Sequence, residues 1–202
     1  MAHGNLMELW YSGGCVGIST LNRELYFKYF LYDKDGVFKK QLLNVISANI
    51  NYSSLSKLKT NVNVTMAEDT DVDYLKDLIK IVCVIDGVET SMGQYIIVSP
   101  ARDLSGMGVS RECECYSKLI IFEDDKVKTR YYVAPGTNII NEVKRIISAN
   151  YDIIIADSLL TTSTGREWEP GTPKIDIIND LLLTANYTSL RVDREGNFTS
   201  TP

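Results

Sequence analysis

From Leu25 onward, side chains of opposite character alternate at every second residue in stretches bounded by turn residues, a pattern that commits most of the chain to β-sheet. Leu25, Phe27, Tyr29 and Leu31 alternate with Tyr26, Lys28, Phe30 and Tyr32, so aromatic residues stand on both faces of one strand. Such a strand is covered on both sides or faces a neighbour. Asp33-Lys34-Asp35-Gly36 then turns the chain, Leu42, Val45, Ile46 and Ile50 follow, and Val62, Val64 and Met66 alternate with polar residues. Asp69 to Asp77 reads as a helical turn or an acidic loop. Leu78 to Ile85 is an apolar strand closed by the hairpin signal Asp86-Gly87, with Tyr95 to Val98 as its return. Pro100 to Gly108 has loop composition, and Arg111 to Phe122 with Lys126 to Val133 reads as a long hairpin turning at Glu123-Asp124-Asp125. Together these strands predict an antiparallel β-barrel-like domain over residues 1–133.

At Pro135-Gly136 the period changes. Ile139, Ile140, Val143, Ile146 and Ile147 recur at helical spacing, with Thr137 or Asn138 as N-cap. A second helix follows Thr172, with Pro173 at its first position and Ile177, Ile178, Leu181, Leu182 and Ala185 on one face. Ile153 to Ala156 and Leu159 to Thr162 are strand candidates, and Ser189 to Val192 and Asn197 to Thr199 flank a turn at Asp193-Arg194-Glu195-Gly196. Residues 134–202 therefore predict a small α/β domain with two helices, making the whole a β-rich α+β chain.

Composition narrows the chemistry. A net charge of -5 and the lack of any Lys/Arg block argue against a nucleic-acid surface, which needs concentrated positive charge. The longest apolar runs fall far short of a membrane span, so no membrane insertion is expected. The first residues lack the basic and apolar regions of a secretory signal, which predicts folding in the cytosol with Cys15, Cys83, Cys113 and Cys115 reduced. Asn51, Asn63, Asn186 and Asn197 begin glycosylation sequons that would then go unused.

The candidates for catalysis each have a plainer explanation. His3 is the only histidine and stands in the terminus, which leaves histidine-based catalysis and His-ligated metals without support. Glu112 and Glu114 share a strand face and Glu167 and Glu169 flank Trp168, yet a glycosidase pair needs carboxyls about 5 to 10 Å apart across a cleft. Cys113 and Cys115 point to the opposite face from the first pair and read as small buried hydrophobes. Asp33-Lys34-Asp35-Gly36 lacks the remaining ligands of a calcium loop, and Gly106-Met107-Gly108 does not open a helix as a dinucleotide loop does. No catalytic residue, metal or cofactor is expected.

The tyrosines, among them Tyr11, Tyr26, Tyr29, Tyr32, Tyr52, Tyr116, Tyr131 and Tyr132, suit strands and interfaces alike. Tyr29, Tyr131, Tyr132 and Trp168 are the candidate interface residues. Trp10 or Trp168 could instead face a glycan, although a packed Trp168 anchoring the loop before the second helix is the simpler state.

The order of features resembles a family. After the aromatic strand and its Asp-x-Asp-Gly turn come Met92-Gly93-Gln94-Tyr95-Ile96-Ile97, Glu114-Cys115-Tyr116-Ser117-Lys118-Leu119 and Val133-Ala134-Pro135-Gly136-Thr137. Trp168-Glu169-Pro170-Gly171-Thr172, Ile178-Asn179-Asp180-Leu181-Leu182 and Asn186-Tyr187 complete the series. It is similar to the amino-terminal part of bacteriophage and prophage tail and baseplate hub proteins. The resemblance implies a non-enzymatic, ring-forming subunit, usually a trimer whose barrels line the end of the tail tube, partnered by itself and other tail proteins. It would be found in the host cytoplasm during assembly and then in the virion tail. Family members are commonly longer, and the chain ends at Pro202 where a further strand is expected. The alternative is a carbohydrate-binding or cell-wall-hydrolysing tail-tip module; the first would need Trp10 or Trp168 exposed on a flat or grooved face, the second two of Glu112, Glu114, Glu167, Glu169 and Asp180 converging in a cleft.

Overall fold

The computed structural model describes residues 24–53, 56–104, 108–148 and 150–202; His3, Trp10, Tyr11, Cys15, Gly106 and Met107 lie outside the described residues. Seven strands form one antiparallel sheet: β1 (Leu25–Tyr32), β2 (Phe38–Leu42), β3 (Val45–Tyr52), β4 (Thr60–Ala67), β5 (Leu78–Ile85), β6 (Val88–Asp103) and β7 (Ser110–Ser117). Their order is β2-β1-β5-β6-β7-β4-β3. One buried residue from each strand, Leu31, Leu42, Ala48, Val64, Ile81, Ile97 and Cys113, enters a single core. Both edge strands contribute to it, so the sheet is curled around its own apolar face.

No ladder joins β2 to β3, which corrects the expected barrel: the sheet curls but stays open. The antiparallel pairings make β2 and β3 run in the same direction, and only Leu43 and Asn44 separate them. β2 pairs with β1 at one edge of the sheet and β3 with β4 at the other. Between them the Asn44 carbonyl accepts from the Ala67 N–H at 2.9 Å, and Asn44 Nδ2 donates to the Ala67 carbonyl at 2.7 Å. The β4–β5 connection buries Val72 in the same core and packs Tyr74 against it. Lys40 of β2 donates to Asp69 at 2.8 Å and Asp71 at 3.0 Å, and Lys39 to the buried Asp77 at 2.8 Å. Two lysines thus balance the acidic loop and tie it to β2.

Two further expectations change. Pro100, read as loop, lies inside β6 opposite Cys113. The register explains this: β6 pairs with β5 only as far as Ile96 and with β7 from Tyr95 onward, so at Pro100 its β5-side edge is unpaired and a missing N–H costs nothing there. The expected hairpin after Arg111 does not form. Ile120–Asp124 is a short helix, α1, and the chain then runs beside residues 171–174, with the Val127 N–H donating to the Thr172 carbonyl at 3.0 Å.

Among the described residues the region after β7 therefore holds three helices where two were expected: α1, α2 (Ile139–Ile147) and α3 (Lys174–Thr184). Asn138 caps α2 by accepting from the Asn141 N–H at 2.9 Å, while Pro173 is the N-cap of α3, one position before its expected place. Two small sheets accompany them. β8 (Tyr131–Val133) pairs with β10 (Arg166–Trp168), and β11 (Arg191–Val192), β12 (Phe198–Ser200) and β9 (Ile153–Ile155) form the other, with β12 and β9 parallel. Of the segment Leu159 to Thr162, expected as a strand, only Thr161 makes a bridge, to Asn138. A second core joins Ile140, Val143 and Ile147 of α2 with Ile178 and Leu181 of α3 and Phe198 of β12, and it also draws in Leu119, Phe122 and Val127.

Candidate interaction surface

The β8–β10 ribbon gathers three of the four candidate interface residues. Register places Trp168 opposite Tyr131 and Glu167 opposite Tyr132, so alternation puts the first pair on one face and the second pair on the other. The inner pair is anchored. Its rings lie 6.0 Å apart and pack against the second core. Trp168 Nε1 donates to Asp180 Oδ2 of α3 at 2.9 Å, and Tyr131 Oη donates to Glu142 Oε1 of α2 at 2.5 Å. Arg145 donates to Glu142 and to the Tyr131 oxygen, and its guanidinium stands over the Tyr131 ring. Burial, with the bond to Glu142, pushes the Tyr131 phenol well up, while Arg145 holds Glu142 below the usual carboxylate range.

The outer pair faces solvent. Tyr132 is 59% exposed, its ring lying over Gly165, where an added Cβ would come within 2.6 Å of Tyr132 Oη. Arg130 pairs with Glu169 at 2.9 Å and Glu167 at 3.6 Å beside it. Rigid, wet-ended aromatics next to arginines are the composition of contact hot spots. Tyr29 belongs elsewhere: it is half-buried on β1 and packs against the first core, where burial raises its phenol.

Each of the candidate carboxylates has its own surroundings. Glu112 lines a depression of about 460 Å³ on the outer face of the sheet with Asn63, Thr65 and Ser99, and Glu114 beside it accepts from Tyr116. Glu167 and Glu169 are held by Arg130, and Asp180 by Trp168. Cys113 and Cys115 point into the first core, where burial pushes the Cys113 thiol up to about 11 and raises that of Cys115 too. Both are the inert kind of cysteine.

Sequence reading missed the joint between the two cores. The Asp193–Asn197 turn docks through main-chain carbonyls on β6 and on Lys118 just after β7: Ser91 Oγ donates to Arg194 O at 2.7 Å, Gln94 Nε2 to Glu195 O at 3.1 Å, and Lys118 Nζ to Gly196 O at 3.4 Å. Gly196 is buried at φ +95°, and a Cβ there would sit 2.8 Å from Gln94 and 2.9 Å from Lys118. Cavities of about 490 and 720 Å³ flank the turn. Burial lowers the Lys118 ammonium from its ordinary value. The one local signal was the Met92-Gly93 bulge in β6, which turns Gly93 to φ +122° and directs Tyr95 Oη to the Met92 carbonyl at 2.7 Å.

This architecture is found in solved tail proteins. The Neisseria meningitidis tail protein superposes with a TM-score of 0.59 at 12% identity, covering 86% of this chain and 50% of that one. The 43 kDa tail protein of prophage MuSo2 from Shewanella oneidensis gives 0.60 at 10% identity over 87% of this chain and 55% of its own. Prophage tail protein gp18 from Listeria monocytogenes gives 0.55 at 10% over 87% and 50%. The chain thus shares the fold of phage and prophage tail proteins and spans about half the length of those structures. No sequence family matches it, and no curated protein does.

Proposed function

We propose that this chain is a structural subunit of a phage or prophage tail, part of its baseplate hub, and acts by assembly without catalysis. The observation that carries this is the shared fold, which takes in the curled sheet and the mixed region together. The two cores are its two domains, the sheet domain and the α/β domain. Copies join through a heterologous contact that closes a ring, a trimer on the family resemblance, and other tail proteins stack on it. In the host cytoplasm the subunit is free; in the virion it sits in the tail. The pairing of Glu167 and Glu169 with Arg130 and the packing of Trp168 support assembly over a cell-wall hydrolase or glycan-binding module.

The outer face of the β8–β10 ribbon, with Tyr132 in its centre and Tyr131 and Trp168 as its rigid backing, is the contact proposed for a neighbouring subunit. Tyr29 supports the sheet domain from within. The test is Tyr132→Ala combined with Glu167→Lys, both exposed and outside either core. The purified variant is expected to keep the wild-type melting temperature while the producing cell makes heads without complete tails, counted by electron microscopy. Normal tails from that variant would remove the ribbon from the assembly contact.

A further inference from the structure

Among the described residues, the two edge strands of the sheet differ. β2 is five residues long, and its Lys39 and Lys40 tie the acidic Asp69–Asp77 loop to it. β3 runs eight residues, Val45-Ile46-Ser47-Ala48-Asn49-Ile50-Asn51-Tyr52, with no charge, proline or glycine. Its main chain bonds to β4 alone among the described residues. Ile46 and Tyr52 are 53% and 62% exposed. No protective device stands on this strand apart from an irregularity between Val45 and Ser47.

Its sequence is also close to a palindrome of chemistry about Asn49. Ala48 and Ile50 flank the centre, then Ser47 and Asn51, then Ile46 and Tyr52, so each step outward meets the same class on either side. An antiparallel strand related to β3 by a two-fold axis through Asn49 would place Asn49 opposite itself, Ser47 opposite Asn51 and Ala48 opposite Ile50, the regular ladder ending at the irregularity around Ile46. Opposed residues in an antiparallel pair share a face. Ser47, Asn49 and Asn51 would meet on the outer face, and Ala48 and Ile50 would extend the inner one. A neutral strand can face its own copy without like charges meeting, which β2 cannot.

We propose that β3 is a self-pairing edge whose occupant is β3 of a second copy, giving an isologous two-fold contact and a continuous sheet across both subunits. This goes beyond the ring, whose contact is heterologous. It needs no other protein and orients two copies back to back.

The experiment is sedimentation velocity on the full chain from about 1 µM to about 1 mM, the range in which a weak contact of one strand pair is populated. Asn49→Lys and Asn49→Glu are measured alone and mixed, with circular dichroism to check that each is folded. The wild type is expected to form dimers, or an even multiple of its ring. Each variant, facing a like charge across the axis, should dissociate at least about tenfold more readily. The equimolar mixture should restore association, because an ammonium of one variant then faces a carboxylate of the other across the axis. A folded wild type that stays monomeric throughout overturns the contact. So does an oligomer that neither variant weakens, and so does a mixture that fails to recover. A trimer insensitive to Asn49 would overturn β3 pairing while supporting ring assembly, whereas a β3 dimer absent from tails would do the reverse.

Discussion

Two turns in this protein are built from the same chemistry and do different work. Asp33-Lys34-Asp35-Gly36-Val37 and Asp193-Arg194-Glu195-Gly196-Asn197 each begin with an aspartate whose Oδ1 accepts from the N–H groups two and four residues on, at 2.9 and 2.8 Å in the first and 3.0 and 2.8 Å in the second. Each closes with the aspartate N–H donating to the fifth residue's carbonyl at 2.9 Å, and each has its glycine at positive φ, +81° and +95°. Around Gly36 nothing lies within 4 Å of a Cβ, while Gly196 is pressed against Gln94 and Lys118. The same local rule makes both turns; only tertiary packing makes the second a joint between two cores.

The two turns separate most sharply at their glycines. Gly196→Ala adds a steric clash to the left-handed backbone strain and should lower unfolding free energy by about 2–4 kcal/mol, with the two cores melting apart in urea. Gly36→Ala should cost only the strain, about 1–2 kcal/mol, in one cooperative transition. Equal losses would mean that the docked turn contributes nothing between the cores. Next come the aspartates. Asp33→Ala and Asp193→Ala each remove the same pair of turn hydrogen bonds, Asp193→Ala also the bond from Asn197 Nδ2 at 2.8 Å, and should cost about 1 and about 1–2 kcal/mol by the same denaturation. A much larger loss at Asp193 would show the turn's own geometry, and not just its glycine, to be set by docking.

The smallest effect concerns Lys118. Burial lowers its folded-state pKa below the unfolded value, so the unfolded chain holds the proton more strongly and stability rises as pH climbs from the lowered value toward about 10.5. Lys28, Lys40 and Lys57 are shifted upward by carboxylate partners and act in the opposite sense, so the readout is the difference between wild type and Lys118→Met. Wild type should gain slightly on the variant as pH rises toward 10.5. A difference that does not change with pH would place the ammonium in water.

How much of this was legible in the sequence depends on the distance between partners. The alternation at Leu25–Tyr32, the apolar strand Leu78–Ile85 and its Asp86-Gly87 hairpin are local signals that the structure bears out, and of the two caps left open for α2 it uses Asn138. The apolar run Ile120-Ile121-Phe122 fits strand or helix equally, and its fate was decided by Phe122 packing on Phe198 at 5.1 Å, 76 residues away. Pro100 looked like a loop because the stagger that frees one edge of β6 is set by β5 and β7 together. The interface candidates show the same division. Tyr131 and Trp168 were singled out as residue types, but Glu142, Arg145 and Asp180, which hold them, are joined to them only by the fold.

The proposal that the chain works by assembly is tested most directly by quantitative mass spectrometry of tails purified from the producing bacterium. A structural subunit should be present at a fixed, small ratio to the tube protein, retained through salt washing, with the same ratio in every preparation. A chain missing from purified tails and recovered only as free protein would contradict it.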